Sequence, residues 1–78
     1  MAAITVRYWA GARRAAGVDE DHLDAADMAE LRAMLTRRGE LAPVVEVASF
    51  LVDGNPASST AALYDGAVVD VLPPFAGG

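Results

Sequence analysis

Short stretches in which apolar and polar residues alternate predict the strands of this chain. Residues 4–9, ITVRYW, place Ile4, Val6 and Tyr8 on one face and polar or aromatic side chains on the other. Further strands are predicted around residues 22–25, at Ser49–Val52 and at Val68–Leu72. In the last of these, VVDVL, the pattern predicts that the valines face inward and that Asp70 faces outward.

A period of 3.6 residues predicts one long helix at residues 27–39. Asp27 is a suitable N-cap, Glu30 three residues later completes a capping box, and Gly39 ends the helix after two arginines. Its apolar face consists of Met28, Leu31, Met34 and Leu35. Shorter signals predict an alanine-rich helix at 12–17, a chain break at Pro43 and a turn at Asp53-Gly54. They also predict an extended piece at 57–59 and, at 62–66, one helical turn with a tight turn.

This order of elements predicts an α+β protein in which a mixed sheet packs on one central helix. The helix has a single apolar stripe and therefore covers only one face of the sheet. Trp9, Leu72 and Phe75 are expected on or near the other face, where an exposed apolar patch would be typical of a partner surface. A central last strand would anchor the segment that follows it at one end of the sheet.

Composition excludes several classes of protein. The 78 residues suffice for one domain, and the absence of cysteine excludes a disulfide or a zinc–thiolate site. The net charge of −5 argues against binding to nucleic acid. No apolar run approaches the roughly 18 residues of a membrane span, and the first residues do not resemble a secretion signal. These features predict a cytoplasmic protein that is not bound to a membrane.

Side-chain chemistry is sparse. His22 has no second histidine or cysteine to pair with, and the serines have no evident base. The acidic residues between 19 and 24 are interpreted as a solvated turn, with a docking patch as the alternative. The glycines lack a phosphate-loop pattern. We therefore expect no metal, no cofactor and no independent catalysis by this chain.

The last residues, LPPFAGG, stand out against this background. Pro73 and Pro74 favour an extended backbone, and Phe75 offers a rigid apolar anchor. Ala76 and Gly77 are slim enough to thread a narrow channel, and the carboxylate of Gly78 would be delivered into another enzyme's site. Residues 1–72 would then form the folded domain and residues 73–78 a flexible tail. The alternative is a frayed chain end of no function.

The ends of the chain resemble the MoaD/ThiS sulfur-carrier family, and its MoaD branch in particular. VVDVLPPFAGG, residues 68–78, is similar to the close of that family. YWAGARRAAG, residues 8–17, matches a pattern of two aromatics, alanine, arginine and glycine, and VDGNP and LYDG lie where the family has its hairpin and its last turn. The family has the ubiquitin-like β-grasp fold.

The resemblance implies a role as the small subunit of molybdopterin synthase. A MoeB-like enzyme would adenylate Gly78, and a sulfur donor would convert it to a thiocarboxylate. The tail would then enter the large, MoaE-like subunit and donate sulfur to cyclic pyranopterin monophosphate in molybdenum cofactor biosynthesis. Partner contacts would come from Leu72, Pro73, Pro74 and Phe75, while the catalytic side chains would belong to the large subunit.

Other functions remain compatible with the same sequence. The carrier could serve thiamin, cysteine or a specialised sulfur metabolite. It could also be a ubiquitin-like modifier joined to target lysines through Gly78, or a binding module in which the two glycines are incidental.

Overall fold

The computed structural model describes residues 1–74 as a five-stranded mixed sheet with its helices on one face. The elements in chain order are β1 (Ala2–Tyr8), α1 (Gly11–Ala16), β2 (Glu20–Ala25), α2 (Met28–Thr36), a 3₁₀ turn (Gly39–Leu41), α3 (Ala42–Val47), β3 (Ser49–Val52), β4 (Asn55–Pro56) and β5 (Val68–Leu72). The strand order is β2-β1-β5-β3-β4. Strand β5 is central and runs parallel to β1, and the other neighbouring strands are antiparallel. The predicted α+β class is confirmed, and the last strand has the central position that would anchor the segment after it.

The core lies between the sheet and α2, as the apolar periodicity predicts. The inward residues of β1 and β5 are buried, and Leu31 and Leu35 of α2 are fully inaccessible to solvent. Met34 is only partly buried at the edge of this core.

The predicted cap of α2 is confirmed. An Oδ1 atom of Asp27 accepts a hydrogen bond of 2.8 Å from the backbone N–H of Glu30. The Glu30 carboxylate reaches back to the N–H of Ala26 at 3.1 Å, one residue before the cap. Both bonds satisfy backbone donors that have no partner within the helix.

The predicted end of this helix is wrong, and so is the interpretation of Pro43 as a breaker. Helix α2 ends at Thr36, and Gly39 opens the 3₁₀ turn instead of closing the helix. Pro43 lies in the first turn of α3, where a missing N–H costs no hydrogen bond. The proline therefore helps to begin a helix that the sequence pattern did not reveal.

The turn at Asp53-Gly54 is confirmed as a two-residue hairpin loop. Both residues have positive φ, 49° and 83°, which is the backbone of a type I′ turn. The strand that follows is Asn55–Pro56, so the extended piece predicted at 57–59 is misplaced. Of the helical turn and tight turn predicted at 62–66, the helical turn is absent, and Ala62 instead forms an antiparallel bridge to Asp27. The tight turn is present, since the N–H of Ala67 donates to the Tyr64 carbonyl at 3.0 Å. No helix within residues 1–74 has the length and apolar character needed to span a bilayer.

Candidate functional site

The candidate site lies where the central strand leaves the sheet. Strands β1 and β5 are parallel and pair Tyr8 with Val71, so the residues after both strands emerge at the same edge. The backbone N–H of Trp9 donates to the Val71 carbonyl at 3.3 Å, which places the indole beside Leu72. Trp9 and Leu72, which the sequence places on or near the helix-free face, thus border the same surface region.

A largely apolar groove with a volume of about 310 Å³ follows from this arrangement. Its lining comes from the end of β5 and from the loop between β1 and α1: Trp9, Ala10, Gly11, Arg14, Leu72, Pro73 and Pro74. Trp9 is 40% exposed, so an aromatic ring is offered to solvent at this position. Three of the four predicted partner-binding residues, Leu72, Pro73 and Pro74, line the groove.

The backbone at Ala10 is unusual for a residue with a side chain. Its φ of 48° and ψ of −121° lie in a region that costs an L-residue on the order of 1–3 kcal/mol and that is often found at functional sites. This bend turns the chain from β1 into α1 next to the groove. Sequence inspection missed Ala10, Gly11 and Arg14, since nothing in a run of small residues and arginines marks a groove wall.

A hydrogen-bonded cluster on the helix-free face of the sheet holds Trp9 in place. The Asp70 carboxylate accepts bonds from Arg7 Nε at 2.7 Å and Nη2 at 3.1 Å, and from Trp9 Nε1 at 2.9 Å. The Arg7 guanidinium also lies 5.5 Å from the centre of the Trp9 ring. Asp70 points away from the helices, as predicted, but it is only 5% exposed, because the Arg7 and Trp9 side chains cover it. Its burial is tolerated because every bond it accepts comes from a fixed donor.

The same bonds change the acidity of Asp70. Donation from Arg7 lowers the pKa of this carboxyl below its ordinary value, burial opposes that change, and the Trp9 N–H adds to the lowering. The stabilisation from the cluster is therefore present above the ordinary carboxyl pKa of about 4 and is lost as the pH falls through the lower folded-state pKa.

We expect Asp70→Asn to flatten the acid side of the stability profile. The wild-type free energy of unfolding should fall between about pH 5 and pH 2 as Asp70 is protonated, whereas the variant has no charge to lose there. Urea denaturation at a series of pH values measures this difference. Asp24→Asn, on the exposed outer face of β2, is the control and should retain the wild-type slope. Equal slopes for wild type and Asp70→Asn would contradict the assignment.

A second cluster joins β1, β2 and the segment between α2 and the 3₁₀ turn on the helix side. The buried Tyr8 hydroxyl donates to Asp21 Oδ2 at 2.8 Å and accepts from Arg38 Nη1 at 3.2 Å, and Arg38 also pairs with Asp21. Burial raises the pKa of the Tyr8 hydroxyl, and the hydrogen bond to Asp21 raises it further. Partial burial alone would raise the pKa of Asp21, but the bonds from Arg38 and Tyr8 outweigh it and lower that pKa. Asp21 is thus a structural residue and not part of a solvated acidic turn, whereas exposed Asp19 pairs with Arg13 at 3.4 Å.

Residues 1–74 contain no group of three or more histidine, cysteine or carboxylate side chains placed to hold a metal ion. His22 is on the surface beside Thr5 and Glu20, as expected for a lone histidine. Phe75, Ala76, Gly77 and Gly78 lie outside the described residues. The structure thus brings together the root of the predicted tail and an apolar groove beside it.

A mixed sheet on a central helix, whose central last strand leads out beside an aromatic groove, defines a ubiquitin-like β-grasp protein. The chain belongs to the ThiS family of sulfur carriers, whose family model matches residues 6–78. No curated protein matches the sequence at a significant level.

Solved structures agree with this assignment. One is the structure from Pyrococcus furiosus assigned as molybdopterin converting factor subunit 1. Its sequence is 27% identical to this chain, and the two superpose with a TM-score of 0.82 over 96% of this chain and 100% of that one. Subunit 1 in a Helicobacter pylori complex of molybdopterin-converting factor subunits 1 and 2 is 26% identical with a TM-score of 0.78, covering 96% and 97%. Small archaeal modifier protein 1 from Methanosarcina acetivorans has a TM-score of 0.82 over 100% and 98%, but at 23% identity the likeness concerns the fold alone.

Proposed function

We propose that this protein is the sulfur-carrying small subunit of a molybdopterin synthase. The observation that carries the proposal is the position of Leu72, Pro73 and Pro74, which leave the central strand beside the groove that contains Trp9. The sequence then continues into Phe75-Ala76-Gly77-Gly78. This arrangement suits a domain that docks on a partner and extends a slim chain into it.

The chemistry would take place at the Gly78 carboxylate. A MoeB-like enzyme would join this carboxylate to the α-phosphorus of ATP, with pyrophosphate as the leaving group. Sulfide, or a donor that delivers its equivalent, would then attack the acyl carbon and displace AMP, so that one oxygen of the carboxylate is replaced by sulfur. The thiocarboxylate would transfer this sulfur to cyclic pyranopterin monophosphate in the large subunit.

The chain's own residues would provide docking and positioning. Asp70 accepts a hydrogen bond from the Trp9 indole, and the Arg7 guanidinium lies near the indole ring. These contacts would give the groove an ordered aromatic wall before the partner binds. Leu72, Pro73 and Pro74 would supply further apolar contacts, and Phe75 an anchor beyond them. The net charge of −5 would favour encounter with a basic surface on the partner, mainly through the association rate.

The two subunit 1 structures support the choice of pathway among sulfur carriers. One of them is a complex with subunit 2, which is the kind of large partner that the groove and tail would require. The likeness to the small archaeal modifier does not favour protein conjugation, since that relative shares the fold at low identity.

Reconstitution tests this function directly. We expect the thiocarboxylated protein, mixed with a molybdopterin synthase large subunit and cyclic pyranopterin monophosphate, to yield the dithiolene product, detected by its oxidised fluorescent derivative. The unmodified protein is the matched control and should yield none. A thiocarboxylate that forms but gives no product with the large subunit would assign the carrier to another sulfur pathway.

A further inference from the structure

A second concavity, which the proposed function does not use, lies on the helix side of the sheet at the edge of β3 and β4. It has a volume of about 240 Å³, below the roughly 300–1,000 Å³ typical of sites for drug-sized ligands. Its apolar walls include Met28 and Phe50, and its polar side chains come from Arg32, Ser58 and Ser59. Ser49 also borders the pocket, but it alternates with Phe50 along β3, which directs its side chain toward the other face of the sheet. A space of this size suits one small polar group better than a whole cofactor.

Arg32 is held in this pocket as a preorganised cation. Its guanidinium lies 5.5 Å from the centre of the Phe50 ring, and Nη2 makes a long contact of 3.5 Å to the Val45 carbonyl. Within residues 1–74, Arg7, Arg13 and Arg38 each pair with a carboxylate, but no such pair involves Arg32. The Arg32 guanidinium therefore retains N–H groups that could donate to a ligand. Its partial burial weakens the screening of its charge by water.

Ser58 and Ser59 line the same pocket as Arg32 and could offer hydroxyl donors to a ligand there. Ser58 and Ser59 lie in the loop after β4, where the N–H of Ala57 is tied to the Phe50 carbonyl at 3.1 Å and the N–H of Ala61 to the Ser58 carbonyl at 3.2 Å. The loop is thus fixed against the strand that carries Phe50. A guanidinium with adjacent hydroxyls is the donor set that recognises a tetrahedral oxyanion, because each anion oxygen can accept a charge-assisted or neutral hydrogen bond.

We infer that this Arg32–serine pocket binds a phosphoryl group, either as inorganic phosphate or as the phosphate of a monoester. Carboxylates make a weaker match, since a planar group can use fewer of the donors that surround the pocket. The site also neighbours the tail: Ser49 pairs with Leu72 across the sheet, so an occupant would lie one strand from the point where the central strand ends. The inference does not depend on the sulfur-carrier chemistry.

A titration of the full-length, ¹⁵N-labelled protein with inorganic phosphate, followed by two-dimensional NMR, tests the site. We expect saturable shifts of the amides of Arg32, Phe50, Ser58 and Ser59, with a Kd on the order of 1 mM. Titration with chloride at equal ionic strength controls for screening and should not saturate. A parallel titration with AMP distinguishes a free ion from a monoester. Tighter binding of AMP at the same amides would assign the site to phosphate esters. Equal binding of AMP and inorganic phosphate would show that the site recognises the phosphoryl group itself.

Arg32→Gln and Arg37→Gln form a matched pair, since each removes one positive charge from the same region but only Arg32 lines the pocket. Arg32→Gln should weaken phosphate binding at least tenfold, and Arg37→Gln should leave it within twofold of the wild type. The double variant Ser58→Ala/Ser59→Ala, on an exposed loop, should weaken it severalfold without affecting the fold. Shifts that do not saturate with either phosphate or AMP, or equal responses from the two arginine variants, would overturn the inference.

Discussion

Removal of Gly78 should abolish thiocarboxylation, and so should addition of one residue after it. With an activating enzyme, ATP and a sulfur source, the wild-type intact mass should rise by the difference between sulfur and oxygen, and the change should map to the last peptide. Either variant moves the terminal carboxylate away from the adenylating site, where small misplacements lower the rate steeply. Intact-mass spectrometry measures the modified fraction.

The fold provides the control for this experiment. Within residues 1–74 the buried core residues all lie before Pro73, and we therefore expect both variants to keep the wild-type melting temperature. Gly77→Val should also be a poor substrate, because a β-branched side chain stiffens and widens the threading segment. Gly39→Val is its matched control, since a Cβ at Gly39 would meet nothing within 4 Å. A deletion variant that is modified and active like the wild type would show that the tail is only a chain end.

Leu35→Ala should destabilise the domain by about 2–5 kcal/mol. Leu35 is fully buried between α2 and the sheet, so the truncation removes apolar contacts and leaves a cavity that the neighbouring strands can fill only in part. Small domains have a total stability of about 5–15 kcal/mol, so the variant should lose a large part of it. Urea denaturation measures the effect as a lower midpoint with an unchanged slope.

Val47→Ala is the control for this second prediction. Val47 is 62% exposed at the end of α3, and its truncation should change the free energy of unfolding by less than about 0.5 kcal/mol. A Leu35→Ala midpoint equal to that of Val47→Ala would mean that the apolar face of α2 does not form the core.

The parts of the fold that local chemistry determines could be predicted from the sequence. The Asp27 cap and the Asp53-Gly54 turn depend on residues within four positions of each other, and the inward valines of β5 follow from a period of two. Pro43 was misinterpreted for the same local reason. A proline is a breaker inside a helix but a favoured residue at its start, and only the tertiary structure shows which applies.

The side-chain clusters could not be predicted in this way. Arg7 meets Asp70 across 63 positions, and Arg38 meets Tyr8 across 30. The strand period therefore predicts that Asp70 faces outward but not that it is buried by Arg7 and Trp9, and the run of acidic residues suggests a solvated turn for Asp21. Only part of the groove could be predicted from the sequence, namely its aromatic and proline residues. Ala10, Gly11 and Arg14 line the groove because β1 and β5 are parallel and end at the same edge of the sheet.

The central position of β5 also determines when this protein can fold. Strands β1 and β2 form one pair and β3 and β4 another, and within residues 1–74 only β5 hydrogen-bonds to both pairs. Isolated two-stranded units are marginal in water, and contacts between residues so far apart form late and slowly. During synthesis the sheet therefore closes only after Val68–Leu72 has left the ribosome. A chain interrupted before that strand would lack both the strand that joins the two halves of the sheet and the segment that we propose enters a partner enzyme.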